Sequence, residues 1–400
     1  MYKLGLDNIR NLCNKLGDPQ DKLRFIHIAG TNGKGSTGAY LVSILKTSNT
    51  VGWFSSPAVF ADEEIIKVNN RNISKADYKE GMEIIDNACL ELVNEGKDAP
   101  SIFERQTALA FWYFLKKSCD IVVLECGMGG EGDATNIVST TEAAVFTSIS
   151  MDHIEYLGND LTSIAKVKSG IIKKGCKVYT AEQPEEVIKV LRDKASDYGI
   201  EVNIIDEQSF EKGELKIAGV DQPKNASLAG AVALGLPDAY GVTEKTARNG
   251  LHNATIRGRF ELVSSKPDII IDGAHNEGAS ISLRNSIKAY LKSNRRFNNG
   301  SNRIVFVIGM LFDKDHKKVL ENTVDLATDV LTVSTFGERG YSAGDLAGDV
   351  LEFNRSVTSI GGVEEALEIA VSIAGKGGLV VVFGSFTILK AALRWIDSHK

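Results

Sequence analysis

The 400-residue chain is poor in cysteine. Cys13, Cys89, Cys119, Cys126 and Cys176 are an odd number, widely spaced, with no CxxC pair. This excludes a disulfide framework and a cysteine zinc site, and it suits a reducing cytoplasm. Long hydrophobic runs are also missing: Ile121–Leu124 and Leu379–Phe383 are strand-sized and far short of a membrane span. The opening Met1-Tyr2-Lys3-Leu4-Gly5 carries no apolar signal segment, so a cytoplasmic protein is expected. Charge of one sign is scarce. A net charge of −6 gives no reason to expect nucleic acid or an anionic membrane as partner. An anionic substrate would have to be held by local lysines, arginines and metal. There is no internal repeat and no low-complexity tract. What is present is ordinary for a globular chain, at 43% hydrophobic and 24% charged residues. At this length one core usually stops growing, so two domains are expected.

The stretch that organises the rest is Phe25-Ile26-His27-Ile28-Ala29-Gly30-Thr31-Asn32-Gly33-Lys34-Gly35-Ser36-Thr37. A short apolar run reads as a buried strand, breaks into a glycine-rich turn and continues into a helix-compatible run over Ala39–Leu45. Gly30, Gly33 and Gly35 let backbone N–H groups converge, and the helix N-terminus adds partial positive charge. Lys34 can reach the β- and γ-oxygens of a nucleotide, and Ser36 or Thr37 can place a hydroxyl on Mg²⁺. The spacing departs from a strict Walker A motif: two residues separate Gly30 from Gly33, and Gly35 precedes the hydroxyl. Strand, glycines, lysine, hydroxyls and helix nevertheless come in the order that phosphate binding requires.

Along the chain, residues 1–24 read as a capping helix, with Leu4, Ile9, Leu12 and Leu16 at mixed three- and four-residue spacing, closed by Gly17-Asp18-Pro19. Strands are expected at Val51–Phe54, Ile65–Val68, Asp120–Glu125, Ala143–Ile149 and Lys177–Thr180, with helices over 75–95, 102–117 and 160–173. Short alternating strands and a turn at Lys212-Gly213 are expected within 201–220, then a helix over Ala226–Leu234. Ser264-Ser265-Lys266-Pro267 reads as a linker. After it the alternation resumes, with strands at Asp268–Ile271, Arg303–Ile308, Val330–Ser334 and Leu379–Phe383 and helices near 315–327, 343–353 and 363–375. Strands alternating with helices predict an α/β protein with mostly parallel sheets covered on both faces. The domains are placed at 1–264 and 265–400.

In open parallel sheets ligands sit beyond the carboxyl ends of the strands. Ser56, Glu125 and His153 lie at such ends. A hydroxyl, a carboxylate and an imidazole, with phosphates and waters, suit Mg²⁺, which rarely has an all-protein cage. Taken singly, a histidine or serine at a strand end is more often a local hydrogen-bond partner.

An ordered set of runs now carries a family resemblance: His27–Ser36, Ser55-Ser56-Pro57, Phe103-Glu104 with Thr107, Glu125–Asn136, Asp152-His153, Leu157-Gly158, Lys168, Gly170-Ile171-Ile172, Gln222, Asn225, Gly258-Arg259, Asp272-Gly273-Ala274-His275-Asn276, Asp313-Lys314-Asp315 and Gly384-Ser385. The chain resembles folylpolyglutamate synthase/dihydrofolate synthase, within the Mur ligase superfamily of ATP-dependent amide-bond ligases. The resemblance implies a P-loop-type, mostly parallel ATPase domain followed by a smaller Rossmann-like α/β domain. It implies that Gly30–Thr37 cradle ATP, with Lys34 and Ser36 at the phosphates and one Mg²⁺. Ser36, Ser56 and Glu125 would serve one ion and His153 a second, with Lys34, His153 and Lys168 as the catalytic set. Lys168 matches a lysine that the family carbamylates; without the resemblance it reads as a helix-surface lysine. Asn225, Arg259, Asp272 and His275 would grip the nucleotide, Arg259 at phosphate and Asp272 at ribose. Asp133, Thr135 and Asn136 would face the substrate, and a monovalent cation is a further implied cofactor.

The implied reaction transfers the γ-phosphoryl of ATP to a folate or dihydropteroate carboxylate, and L-glutamate then displaces phosphate. A closing second domain would keep water from the acyl phosphate. A monomer is implied. The departures from the family pattern are Ala58 after Ser56-Pro57, Glu64-Ile65-Ile66 without its arginine, Glu131 for a cation and Glu277 for a proline. Two of them fall in loops near the expected acceptor. Glu131 would repel a polyanionic tail by on the order of a kcal/mol if partly buried. A ligase for another acceptor or amino acid therefore stands as an alternative. A non-catalytic nucleotide-binding scaffold is a third reading, against which Lys34, Glu125, His153 and Lys168 speak.

Overall fold

The structure is a computed structural model and describes residues 5–59, 61–211, 213–297 and 302–399. Leu4 and Lys212, which the sequence places in the capping helix and in a turn, lie outside the described residues. The chain forms two compact units, Met1–Lys216 with Pro223–Thr255, and Ile217–Gln222 with Ile256–Lys400. No helix among the described residues is long and apolar enough to cross a membrane.

The first unit is built on β1 (Phe25–Ala29), β2 (Val51–Phe54), β3 (Ile66–Val68), β4 (Arg71–Asn72), β5 (Ile121–Glu125), β6 (Thr141–Phe146), β7 (Lys177–Ala181) and β8 (Val202–Ile205). Among the described residues these make one sheet in the order β4-β3-β2-β5-β1-β6-β7-β8. The strands β2, β5, β1, β6 and β7 run parallel, with β8 parallel beside β7, and the first five are buried along nearly all their length, as strands covered on both faces are. β3 and β4 form an antiparallel edge. β1 lies between β5 and β6, so the turn after Ala29 leaves the sheet at its centre.

On one face, helices Asp7–Lys15, Lys75–Asn94 and Ile102–Lys116 pack a cluster that includes Phe25, Phe54, Phe111 and Leu124. Further along, helices Leu161–Ser169 and Glu185–Ser196 cover Ala29, Ala144, Phe146 and Val178. The first helix ends just before the Gly17-Asp18-Pro19 break expected to close it. It stops at Lys15, and a 3₁₀ turn at Pro19–Lys22 follows. Of the short strands expected over 201–220, β8 alone is present among the described residues.

The second unit has β9 (Glu261–Ser265), β10 (Asp268–Ile271), β11 (Ile304–Ile308), β12 (Asp329–Val333), β13 (Val357–Gly361) and β14 (Leu379–Phe383), in the order β13-β12-β11-β14-β10-β9. All neighbours are parallel except β9 and β10. Ser264–Pro267 is therefore no linker. Ser264 and Ser265 pair with Ile269 and Asp268 in an antiparallel hairpin. Half-exposed polar residues at an edge strand look like a connector in sequence, and only the pairing reveals the strand.

Candidate active site

The turn after β1 is shaped by close approach. A Cβ on Gly30 would meet Thr147 Oγ1 at 1.9 Å, and one on Gly33, whose φ is 92°, would meet Asn225 Oδ1 at 2.5 Å. Only glycine satisfies both positions. The turn is pinned to the segment after β6: Thr31 and Asn32 N–H donate to Ser148 O at 2.8 and 3.2 Å, and Thr31 Oγ1 donates to Ser150 O at 2.9 Å. Gly33 starts helix Lys34–Leu45, and no side chain caps its first N–H groups. Those free donors and the helix dipole suit an anion.

Two lysines meet on one carbonyl of this turn. Lys34 Nζ donates to Gly30 O at 3.1 Å and Thr31 O at 3.3 Å, and Lys168 Nζ donates to Gly30 O at 2.9 Å. Lys168 belongs to helix Leu161–Ser169 and is buried, so its surface reading is wrong. Burial, and secondarily the Lys34 charge, lower its amine from 10.5 to about 7. Ser36 and Thr37 are also buried, and Thr37 Oγ1 donates to Asn225 Oδ1 at 3.5 Å. That contact carries helix Gln222–Leu234 to the turn.

Glu125 ends β5 in register with Ile28 and is buried, one strand from the turn. Ser56 precedes a cis peptide bond to Pro57. His153 is exposed, holds a left-handed φ of 51° and lies 3.8 Å from the Asp152 carboxylate through Nε2. No three His, Cys, Asp or Glu side chains among the described residues form a metal cage. The donor set fits a hard ion that completes its shell with phosphate and water, as Mg²⁺ does, and does not fit zinc.

In the second unit, Asp272 is held by Phe260 N–H at 2.7 Å and Ala274 N–H at 2.8 Å. Burial raises its pKa, and the Arg259 charge opposes that rise. Arg259 lies over the Phe386 ring at 4.7 Å, and His275 meets the same ring edge-on at 6.1 Å. His275 Nδ1 is 2.8 Å from Gly273 O. Phe386 carries no motif of its own in the sequence. The Gly384-Ser385 run that ends next to it was its only signal.

Two family models match the chain: a Mur ligase middle domain over residues 28–233, and a Mur ligase, glutamate ligase domain over residues 258–386. The dihydrofolate synthase/folylpolyglutamate synthase of Bacillus subtilis is 32% identical over 409 residues, covering 96% of this chain and 93% of that protein. This decides the family. The chain belongs to the folylpolyglutamate synthase/dihydrofolate synthase family. The Escherichia coli dihydrofolate synthase/folylpolyglutamate synthase is also 32% identical, covering 99% of this chain and 92% of that protein. A Mycobacterium tuberculosis folylpolyglutamate synthase solved with ADP and AMPPCP superposes with a TM-score of 0.89 at 27% identity, covering 98% and 95% of the two chains. An Escherichia coli FolC complex with DHPP and ADP gives 0.87 at 30% identity, covering 100% and 94%.

Against that family pattern, the loop from Gly127 to Asn136 is internally tied. Asp133 accepts from Met128 N–H at 2.8 Å and from Thr135 N–H at 3.0 Å, Thr135 Oγ1 donates to Asp133 at 2.5 Å, and Asn136 Nδ2 donates to Glu131 O and Gly170 O. The carboxylate of Asp133, the hydroxyl of Thr135 and the amide nitrogen of Asn136 thus build the loop, while Asn136 Oδ1 is buried without a hydrogen-bond partner. Ile65, at which the resemblance would lead one to expect arginine, is buried in the core of the first unit. Glu131 is exposed, and its charge acts on Lys194. An exposed carboxylate is screened by solvent and salt, so the repulsion expected for a partly buried one does not apply.

Proposed function

We propose that the protein is an ATP-dependent ligase that joins L-glutamate to a folate or dihydropteroate carboxylate through an acyl phosphate. The observation that carries this reading is the turn at residues 30–37, where an uncapped helix start, Lys34 and the buried Lys168 converge on Gly30. The acceptor carboxylate oxygen attacks the γ-phosphorus of ATP, and ADP departs. The glutamate amine attacks the acyl carbon and sheds a proton, and the tetrahedral intermediate expels phosphate. Lys34 and the N–H groups of the turn neutralise the phosphates before and during transfer. Arg259, propped on Phe386, holds phosphate, and Asp272 and His275 orient the rest of the nucleotide.

Ser36, Ser56 and Glu125 would hold Mg²⁺, with His153 at a second ion. Such cations supply charge neutralisation on the transferring phosphoryl group. Lys168, with its amine lowered to about 7, keeps an un-ionised fraction near neutrality, the form that reacts with carbon dioxide. It is the residue to examine for carbamylation. The protein acts as a monomer in the cytoplasm, where its free thiols stay reduced.

A second acceptor class stays open on one observation. The family's arginine position holds a core residue, Ile65, and so presents no cation to a substrate. Phosphate release with ATP, Mg²⁺ and glutamate, compared across dihydropteroate, tetrahydrofolate and no acceptor, tests the reading. Release with a pterin alone supports it. Release with neither pterin removes the folate acceptor, and absence of ATP binding removes the ligase.

A further inference from the structure

His27 stands in the middle of β1, three residues before the phosphate turn, and is fully buried. Its neighbours on that face of the sheet are apolar: Phe25 belongs to one core cluster and Ala29 to the next. A leucine would fill such a position without cost, so a buried imidazole there needs a reason. Its Nε2 lies 2.9 Å from Thr135 Oγ1 and 3.1 Å from Cys126 Sγ, while Nδ1 has no hydrogen-bond partner.

The single hydroxyl proton of Thr135 goes to Asp133, 2.5 Å away, so Thr135 Oγ1 is left to accept. His27 therefore carries its proton on Nε2 and donates. Nδ1 is then an unpaired lone pair, less costly than an orphaned buried N–H. The chain runs from β1 through His27 and Thr135 to Asp133, which gathers the N–H groups of Met128 and Thr135. Next to it, a Cβ on Gly130 would meet Lys168 O at 2.7 Å, and Cys126 N–H donates to Ile28 O at 3.0 Å. One small network thus ties together the strand that delivers the phosphate turn, the residue after Glu125, the 127–136 loop and the backbone of Lys168.

We propose that His27 is a positioning residue of the ligase site: its Nε2–H bond to Thr135 holds the 127–136 loop in one register against β1, and with it the acceptor-side surface beside Glu125 and Lys168. It touches no substrate and acts through Thr135. The inference rests on the ligase reading for its kinetic arm alone.

The test compares His27→Leu, which keeps the bulk and loses the donor, with His27→Gln, whose amide nitrogen reaches the place of Nε2. His27→Asn, whose shorter amide does not, completes the set. Hydrogen exchange at the Met128 and Thr135 amides is the first readout, and the KM values for acceptor and ATP are the second. In H27L both amides should exchange about ten- to a hundredfold faster, and the acceptor KM should rise about tenfold while that for ATP stays within about twofold. H27Q should restore both readouts and H27N neither. Unchanged exchange in H27L, or an H27Q no better than H27L, overturns the proposal. Should H27L fail to fold, H27Q against H27N decides: equal exchange and equal KM values in the two overturn the proposal. If the wild type ligates no glutamate to any pterin, the proposed function falls, while exchange still decides the role of His27.

Discussion

The two units present their cations in different ways. In the first, Lys34 and Lys168 donate to backbone carbonyls of the turn they serve, and among the described residues neither forms an ion pair. In the second, Arg259 is stacked on Phe386 beside the fixed carboxylate of Asp272. Two lysines without a carboxylate partner, beside a helix start that no side chain caps, are an incomplete electrostatic arrangement that a polyphosphate completes. A stacked arginine is already oriented before any ligand arrives. The first arrangement should therefore carry the chemical step, and the second should set nucleotide affinity.

The largest expected effect follows from the first half of this contrast. Lys34→Ala should lower kcat by about 10³-fold or more, because it removes charge from the transferring phosphoryl group. Single-turnover kinetics at saturating ATP would measure it, and substantial residual ligation would break the contrast. Phe386→Ala should raise the KM for ATP by about three- to thirtyfold with little change in kcat, as the stacked guanidinium loses its support. A fall in kcat alone would place Arg259 in the chemical step and erase the distinction between the units.

His27 gives a smaller effect, confined to the first unit and read by pH. Burial, then the Lys173 charge, lower its pKa from 6.5 to about 3. Between those values the unfolded chain binds a proton that the folded chain refuses, so this residue's contribution to stability falls as pH drops through 6.5 toward 3. The melting temperature of H27Q relative to wild type should therefore rise by several degrees between about pH 7 and about pH 4.5. A constant difference would mean that the ring titrates normally. Glu131→Arg should have the smallest effect. With Glu131 exposed, use of polyglutamylated acceptors should improve by no more than about threefold, and the gain should vanish at high salt.

The same contrast explains what the sequence made legible. A phosphate turn needs strand, glycines, lysine and helix in contiguous order, so residues 25–45 can be read directly. The Arg259 cluster joins positions 259, 272, 275 and 386, and no local pattern links an arginine to an aromatic ring that far along the chain. Helix Glu244–Asn253 has little sequence signal, because its buried face is Ala247, Gly250 and Leu251. Gly250 lets it approach the Ile44 backbone, where a Cβ would come within 2.4 Å, so its packing rests on smallness and not on an apolar stripe. His27 could be read only as part of a strand, since its partners Thr135 and Asp133 come from another loop. At the edge hairpin, Asp268–Ile271 reads as a strand from its apolar run, whereas Ser264–Pro267 reads as a linker because half-exposed polar residues carry no strand signal of their own.

The most direct measurement is a crystal structure of the protein with a non-hydrolysable ATP analogue and Mn²⁺, located by anomalous scattering. The account predicts that the triphosphate lies against residues 30–37, with the metal signal in bonding reach of Glu125 and of a Ser36 or Ser56 hydroxyl. A triphosphate bound elsewhere, or a metal signal remote from Glu125, would contradict it.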